Sequence, residues 1–534
     1  MPRHLTDWRH CSTRRIVLSF AYFLRRAARY WGSQPAVVHR DRAVTYRQLD
    51  ERSTRLANAL RGLGFARGER IAVQARNCIE LVEIECALYK AGLVKAALNP
   101  RFTAAEAADV VGNCTPVAFI GGRGYTDYTP DSPGFGSVER FVSLDGAVSG
   151  YLDYETLLAK GSDTAPDYVP AADDLAVLHF SSGSTGRIKA AMQSYGNRLA
   201  SLRKIVLGMD RPAQPGDRLA LIGPITHASG MLMQPYLFCG ATLVLFDAFE
   251  PAQFLAEVAR QRITHTFMVP AMVNMLLNTP ALAQADLRSL KVLGYGAAPM
   301  APARIEEAWA RIGPVLSQGY GASESTSGVT RLGIADHAHA LLHDRERLAS
   351  CGRPLGETEV RVVDADGREV EGDAIGELVI RGADVFQGYW NAPELTREVL
   401  IDGWLHTGDL ARTDREGFIY LVDRKHDMII SGGFNVYPTE VEAALYRHES
   451  VLEACVVGVP DDKWGEAVKA VVVLRAGHAA QAADLVAHCR AQLADYKAPR
   501  SVDFVAELPK NASGKIARKL VREPYWRGVT RRVN

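Results

Sequence analysis

The sequence has no hydrophobic run long enough to cross a bilayer, which takes about 20 consecutive apolar residues. The early candidate, Ile16 to Leu24, is short, is bracketed by Arg14, Arg15, Arg25 and Arg26, and has no small-residue cleavage site after it. It reads as the beginning of an amphipathic helix. An excess of one charge is also missing. Lys and Arg number 62 and Asp and Glu 61, a net charge of +1, so nothing draws the chain to nucleic acid. The arginine clusters at the two ends, those above and Arg527, Arg531 and Arg532, read as solvated tails. The eight cysteines form no CxxC pair and share no zinc-ligand spacing with histidine. They read as thiols of a reducing compartment, so the expected location is the cytoplasm. No GxSxG elbow occurs, which removes the usual serine-hydrolase arrangement. Gly294-Tyr295-Gly296 and Gly319-Tyr320-Gly321 both lack the third glycine of a dinucleotide fingerprint. No internal repeat is visible.

What is present is an ordinary globular composition, 47% hydrophobic and 23% charged over 534 residues, long enough for several domains. From about 170 onward short apolar runs alternate with helical patterns. Strands are expected at 175–180, 218–222, 241–246, 264–269, 291–293 and 315–317, with helices following Asn197, Pro251, Pro270 and Pro302. This predicts an α/β fold with doubly wound sheets. A β-rich subdomain is expected over about 350–425, where short strand-like runs are broken by Asp366-Gly367 and Glu371-Gly372. A small α+β unit then begins. The predicted boundaries are 1–425 for a large domain and 427–534 for a small one.

Chemistry concentrates where strands are expected to end. Ser181-Ser182-Gly183-Ser184-Thr185-Gly186-Arg187-Ile188-Lys189 follows an apolar strand and is read as preceding a helix. Small residues let backbone N–H groups form an anion nest, hydroxyls add donors and Lys189 adds a charge. It is a phosphate-loop composition without being a Walker A loop. Pro224-Ile225-Thr226-His227, Gly294-Tyr295-Gly296-Ala297-Ala298-Pro299 and Gln318-Gly319-Tyr320-Gly321-Ala322-Ser323-Glu324 stand at other strand ends. Parallel strands would bring all four to one edge, where open α/β sheets bind ligands. Magnesium on nucleotide phosphates needs only one or two protein carboxylates, and Glu324 could be one.

These segments resemble the adenylate-forming superfamily, which includes acyl-CoA synthetases, firefly-type luciferases and the adenylation domains of peptide synthetases. The resemblance continues through Trp404-Leu405-His406-Thr407-Gly408-Asp409, through Asp423-Arg424 and Asp427 to Gly433, and through Leu508-Pro509-Lys510-Asn511-Ala512-Ser513-Gly514-Lys515. A sparser likeness at Val44 to Leu49 extends it toward the start. The order of the motifs is that of the acyl-CoA ligase branch. The resemblance implies that a carboxylic acid reacts with ATP to give acyl-AMP, and that the thiol of CoA then displaces AMP after domain rotation. It implies Lys515 at the carboxylate and α-phosphate, Asp409 at the ribose with Arg424 beside it, and Tyr320 on adenine with Gly296, Ala297 and Ala298 along its edge. It places Ser323 at the α-phosphate, Glu324 on Mg²⁺, His227 between the acyl pocket and the thiol, and Gly432 and Gly433 along pantetheine, and it implies that the 427–534 domain is mobile about His426, which stands where the family's hinge usually has Lys or Asp.

Two departures stand in the phosphate loop. The family's Pro-Lys-Gly is here Ile188-Lys189-Ala190. Proline limits a loop's conformations and glycine permits angles alanine resists, so adenylation is expected to be slowed, and an enzyme using only preformed acyl-AMP is an alternative. Ser323 replaces threonine and keeps the hydroxyl. The expected acyl pocket, Ala228, Gly230, Met231, Leu232 and Met233 with Gly294, Gly319 and Gly321, is apolar, and 224–233 has no Lys or Arg for a second carboxylate. An apolar monoacid is expected, with CoA as acceptor; a carrier-protein thiol is a further alternative, and a homodimer is compatible with the sequence.

Overall fold

The computed structural model describes residues 19–122, 124–182, 188–425, 427–461, 463–510 and 515–527, with backbone alone at Ser182. Its first helix, Phe20–Trp31, is capped by Ser19, whose side chain accepts from the Tyr22 N–H. The amphipathic helix expected from Ile16 therefore starts at Phe20, where a hydroxyl is available to satisfy an open N–H group. The Val44 to Leu49 segment is also a helix start. Thr45 and Gln48 form a capping box at the head of Tyr46–Gly62.

Two large sheets carry the fold. The first has seven strands in the spatial order Leu152–Asp153, Arg140–Ser143, Ala118–Gly121, Arg70–Gln74, Val94–Ala97, Leu175–Ser182 and Ile188–Ser194, parallel until the last pair. In the second, of nine strands, Pro35–His39, Thr242–Leu245, Arg218–Leu221, His265–Met268, Val292–Gly296 and Leu316–Gly321 run parallel, with antiparallel strands at both edges. The helix Ile79–Ala91 is buried at every residue and packs on Pro35–His39 of one sheet and Val94–Ala97 of the other. A helix buried all round is what a layer between two sheets requires.

The β-rich region forms a third sheet, fully antiparallel, from Thr358–Val363, Gly376–Gly382, Leu400–Ile401, Trp404–Thr413 and Ile419–Arg424. A fourth is built from Ile429–Ser431, Phe434–Val436, Val451–Asp461, Gly465–Leu474 and Ser501–Phe504, with the helix Pro438–Leu445 on it. No helix among the described residues is long and apolar enough to cross a membrane.

Two expectations change. The Ser/Gly segment is not followed directly by a helix. Leu175–Ser182 and Ile188–Ser194 pair antiparallel, with Ser181 opposite Lys189 and Phe180 opposite Ala190, so the segment closes a hairpin. The next helix, Tyr195–Leu207, is capped by Ser194, and Asn197 occupies the third helical position of a capping box. The second change concerns the four site segments, which lie on two sheets rather than one edge. The hairpin belongs to the first sheet, and the His227, Gly294 and Tyr320 segments belong to the second.

Candidate functional site

The segments meet across the two sheets and the third. Leu316–Gly321 carries Tyr320, and Trp404–Thr413 carries Asp409, which is cross-strand partner to Arg424. The Tyr320 hydroxyl donates to Asp409 Oδ2 at 2.6 Å, and Arg424 Nε lies 2.9 Å from Asp409 Oδ1. Asp409 is buried while Arg424 is exposed. The carboxylate thus fixes a phenol on one side and a guanidinium on the other, and its own position is set by the Asp409 N–H, which donates to Thr407 Oγ1 at 3.1 Å. Asp409 raises the Arg424 pKa; burial, then Asp409, pushes the Tyr320 phenol well above its usual range.

Lys515 reaches this cluster from the far end of the chain. It is exposed, yet its pKa is lowered, first by desolvation and then by Arg424, against the opposing pull of Asp409 and Glu324. Its charge also acts on His227. The charge of the C-terminal lysine is thus felt at His227, and those of Arg424, Asp409 and Glu324 act on it. Glu324 Oε1 accepts from the Tyr389 hydroxyl at 2.7 Å, and its carbonyl accepts from the Phe386 N–H at 2.8 Å. Lys189 Nζ lies 5.3 Å from the centroid of the same Tyr389 ring. Gln193 Nε2 donates to the Ser323 carbonyl at 2.9 Å. Ser181 and Lys189 are half-buried at the mouth of the hairpin; Gly183, Ser184, Thr185, Gly186 and the Ser182 side chain lie outside the described residues, as does His426.

His227 opens the short helical turn Ala228–Leu232. Its ring stacks on that of His179, with centroids 4.9 Å apart. Burial, with a contribution from Lys515, lowers its pKa to about 4, so the imidazole is neutral at pH 7. Ala297 follows Gly296 with φ of 67°, an outlier for alanine. Gly432 and Gly433 have φ of 60° and 81°, and a Cβ on Gly432 would stand 2.5 Å from the Trp464 ring.

The glycines assigned to the acyl pocket divide into two sorts. A Cβ on Gly296 would meet the Gly319 carbonyl at 2.1 Å, one on Gly321 the Ser327 carbonyl at 2.1 Å, and one on Gly230 the Ile225 carbonyl at 2.0 Å. Backbone packing requires glycine at these three. At Gly319 the nearest atom would be 3.8 Å away, an ordinary contact, so packing does not require glycine there. Gly294, Gly296, Gly319 and Gly321 also lie within strands and not in the loops after them. Tyr389, Gln193 and His179 were not anticipated. Tyr389 follows Gly388 and forms an isolated antiparallel bridge with Ala191. Gln193 and His179 sit in strands whose apolar neighbours conceal them.

The AMP-binding enzyme model matches residues 24–390, and the AMP-binding enzyme C-terminal domain model matches residues 440–515. The chain belongs to the AMP-binding enzymes. Within them it stands on the acyl-CoA ligase branch of the adenylate-forming superfamily. This AMP-binding enzyme is 37% identical over 502 residues to a feruloyl-CoA synthase of Amycolatopsis sp, covering 94% of this chain and 98% of that one. It is 34% identical to the medium/long-chain-fatty-acid–CoA ligase FadD8 of Mycobacterium tuberculosis, covering 94% and 89% respectively. The amide bond synthetase McbA of Marinactinospora thermotolerans superposes with a TM-score of 0.84 at 32% identity over 95% of this chain and all 100% of that one.

Proposed function

We propose that this AMP-binding enzyme converts an acid with a mainly apolar body to its CoA thioester through an acyl-AMP intermediate, both half-reactions using one site. The observation that carries the reading is the geometry at Asp409, which accepts from the Tyr320 hydroxyl at 2.6 Å and pairs with Arg424 at 2.9 Å, with Lys515 as the cation assigned to the reacting groups. Adenylation brings two anions together, and a cation at that point offsets their repulsion as the transition state forms. An oxygen of the acid's carboxylate attacks the α-phosphorus, the bond to the β-phosphate oxygen breaks, and pyrophosphate leaves. Asp409, oriented by Tyr320 and Arg424, accepts hydrogen bonds from the ribose hydroxyls. The Tyr320 ring faces adenine along Gly296, Ala297 and Ala298, and Ser323 and the 181–189 hairpin receive the phosphates.

Magnesium fits the donor chemistry at Glu324. The described residues bond only one of its two carboxylate oxygens, through Tyr389, and such a cation is commonly held by one or two carboxylates plus substrate phosphates. When bound it would neutralise phosphate charge. In the second half-reaction a unit comprising 427–534 turns about His426, and Gly432 and Gly433 border the incoming pantetheine. The thiol sulfur then bonds the acyl carbon and gives up its proton to solvent, the carbon–oxygen bond to AMP breaks, and AMP leaves. Neutral His227 borders the acyl group on that side.

Ile188 and Ala190 sit within a paired strand, and neither has a positive φ. Glycine's special freedom is therefore not needed at 190, which supports assigning the adenylation half to this chain as well. The test offers an acid panel with ATP and CoA in one arm and synthetic acyl-AMP with CoA in the other, reading pyrophosphate, AMP and thioester. Release of all three products in the first arm is expected. Thioester only from supplied acyl-AMP would leave the thioester-forming half alone. Transfer to a phosphopantetheinylated carrier or to an amine in preference to CoA would replace the acceptor.

A further inference from the structure

One helix, Ile334–His343, carries three histidines with opposite fates. His337 faces inward and is buried. Its Nδ1 lies 2.7 Å from the Gly333 carbonyl and its Nε2 lies 2.9 Å from the Tyr295 hydroxyl, while its ring stacks on Trp309. Ala340, three residues on, is buried on the same face. The inward face is therefore anchored. His339, Leu342 and His343 are exposed on the outward face, Leu342 by 76%. Positions four apart on a helix lie one above the other. This brings the His339 and His343 rings side by side, with centroids 4.9 Å apart and planes inclined at 52°.

Among the described residues neither of these two rings has a hydrogen-bond or ion-pair partner. A neutral imidazole keeps one nitrogen lone pair open, and it is the commonest protein ligand for metal ions. A metal ion sits about 2.0–2.1 Å from a ligating nitrogen, hence about 3.2 Å from the ring centre. Two ring centres at that distance and 4.9 Å apart subtend about 100° at the ion, between the right angle of octahedral and the ~109° of tetrahedral coordination. The spacing is that of neighbouring ligands on one ion. No group of three or more His, Cys, Asp or Glu side chains among the described residues is placed to hold a metal ion, so the pair supplies two ligands and solvent the rest. The segment reads His339-Ala340-Leu341-Leu342-His343. Ala340 stands where the H-E-x-x-H motif has its glutamate, so no hydrolytic chemistry follows.

We propose that His339 and His343 form a surface site for one transition-metal ion of the Cu²⁺, Ni²⁺ and Zn²⁺ class, with water in the remaining positions. Imidazole nitrogen suits these ions, whereas Mg²⁺ takes oxygen ligands. The histidine pair and Glu324 therefore sort different ions, and the inference does not rest on the function proposed above. Two imidazoles on one helical turn bind as a chelate. Once the first nitrogen is bound the second is already at hand, which multiplies affinity by about 100-fold or more over a lone histidine. The bound ion ties together the last turn of Ile334–His343 on the side that the protein leaves open.

The experiment titrates the full-length, untagged, nucleotide-free enzyme with copper(II), nickel(II) and zinc chloride by calorimetry, at about pH 7.5 where free imidazoles are neutral. Magnesium chloride is the control. Saturable binding of about one ion per chain is expected, with Cu²⁺ tighter than Zn²⁺ by about tenfold or more. Millimolar Mg²⁺ should leave that binding in place. His339→Ala and His343→Ala should each weaken it by about 100-fold. Both side chains are exposed, so the metal-free Tm of either variant should match wild type, and a lost fold does not stand in for a lost ligand. Absence of saturable Cu²⁺ and Zn²⁺ binding overturns the inference, as does undiminished binding in either variant, or displacement of the bound ion by Mg²⁺. None of these outcomes bears on the acyl-AMP reading, which stands or falls on the products released from acid, ATP and CoA.

Discussion

At the scale of single residues the site is organised by one carboxylate. Asp409 accepts from Tyr320 and pairs with Arg424, so Asp409→Asn replaces a charge with an amide that can satisfy only one of the two. Hydrogen bonds to a charged group contribute about 1.5–3 kcal/mol, which is roughly 10- to 150-fold in nucleotide affinity. The KM for ATP should rise by that factor while the KM for the acid changes little; a rise of under about threefold would refute the ribose role. His227 gives a prediction with a definite sign. Its folded pKa is about 4, below an unfolded value near 6.5. The unfolded chain therefore binds the extra proton between those values. The neutral ring's contribution to stability is fully present above pH ~6.5 and is lost as pH falls toward ~4. His227→Phe should lower the wild-type slope of Tm against pH in that window and leave it unchanged above pH 7. An identical slope in the two proteins would show that the imidazole already charges in the fold.

At the scale of elements, the alternation of strand and helix was legible because apolar runs of strand length are bounded by proline and glycine. Val292–Gly296 and Leu316–Gly321 lie where expected, but they continue through the glycines that the sequence marks as loops. Glycine signals a turn and a close backbone approach equally well, and at Gly296 and Gly321 the approach is the reason. The hairpin at 181–189 was missed for a different cause. Ile188 to Ser194 is a short run with no strict alternation, and periodicity gives such runs no preference. The buried charges between the sheets were illegible altogether, since Glu85, Lys95 and Arg198 come from three separate elements. Arg518, on the short helix Arg518–Arg522, belongs to the same class. It reaches Glu442 at 2.8 Å, Asp423 at 3.3 Å and Asp427 at 3.7 Å. Arg518→Met should destabilise the C-terminal unit by about 3–5 kcal/mol, because three carboxylates lose their shared cation. Urea unfolding followed by the fluorescence of nearby Trp526 reads this. A loss below about 1 kcal/mol would mean the cluster is solvated and screened.

At the scale of the whole molecule the question is what would hold the C-terminal unit in the pose proposed for adenylation. Asp423 stands before the proposed hinge, and its carboxylate accepts from the Thr439 N–H and hydroxyl, both at 3.0 Å, besides pairing with Arg518. Thr439 and Arg518 both follow His426 in the chain, so rotation there must break these bonds. On the proposed rotation, the acyl-AMP stage and the thioester stage would be two states separated by this small latch. His426→Pro fixes φ at that position and removes an N–H, while leaving Asp423, Thr439 and Arg518 unchanged in sequence. Acid-dependent pyrophosphate exchange should stay within about threefold of wild type, whereas thioester release from supplied acyl-AMP should fall by about 100-fold, roughly 2.7 kcal/mol of barrier. Asp423→Ala acts the opposite way. It releases the latch without stiffening the hinge, so exchange should fall and thioester formation from acyl-AMP should hold or rise. Parallel losses of both half-reactions in both variants would place the two chemistries in a single pose and remove the need for rotation in this enzyme.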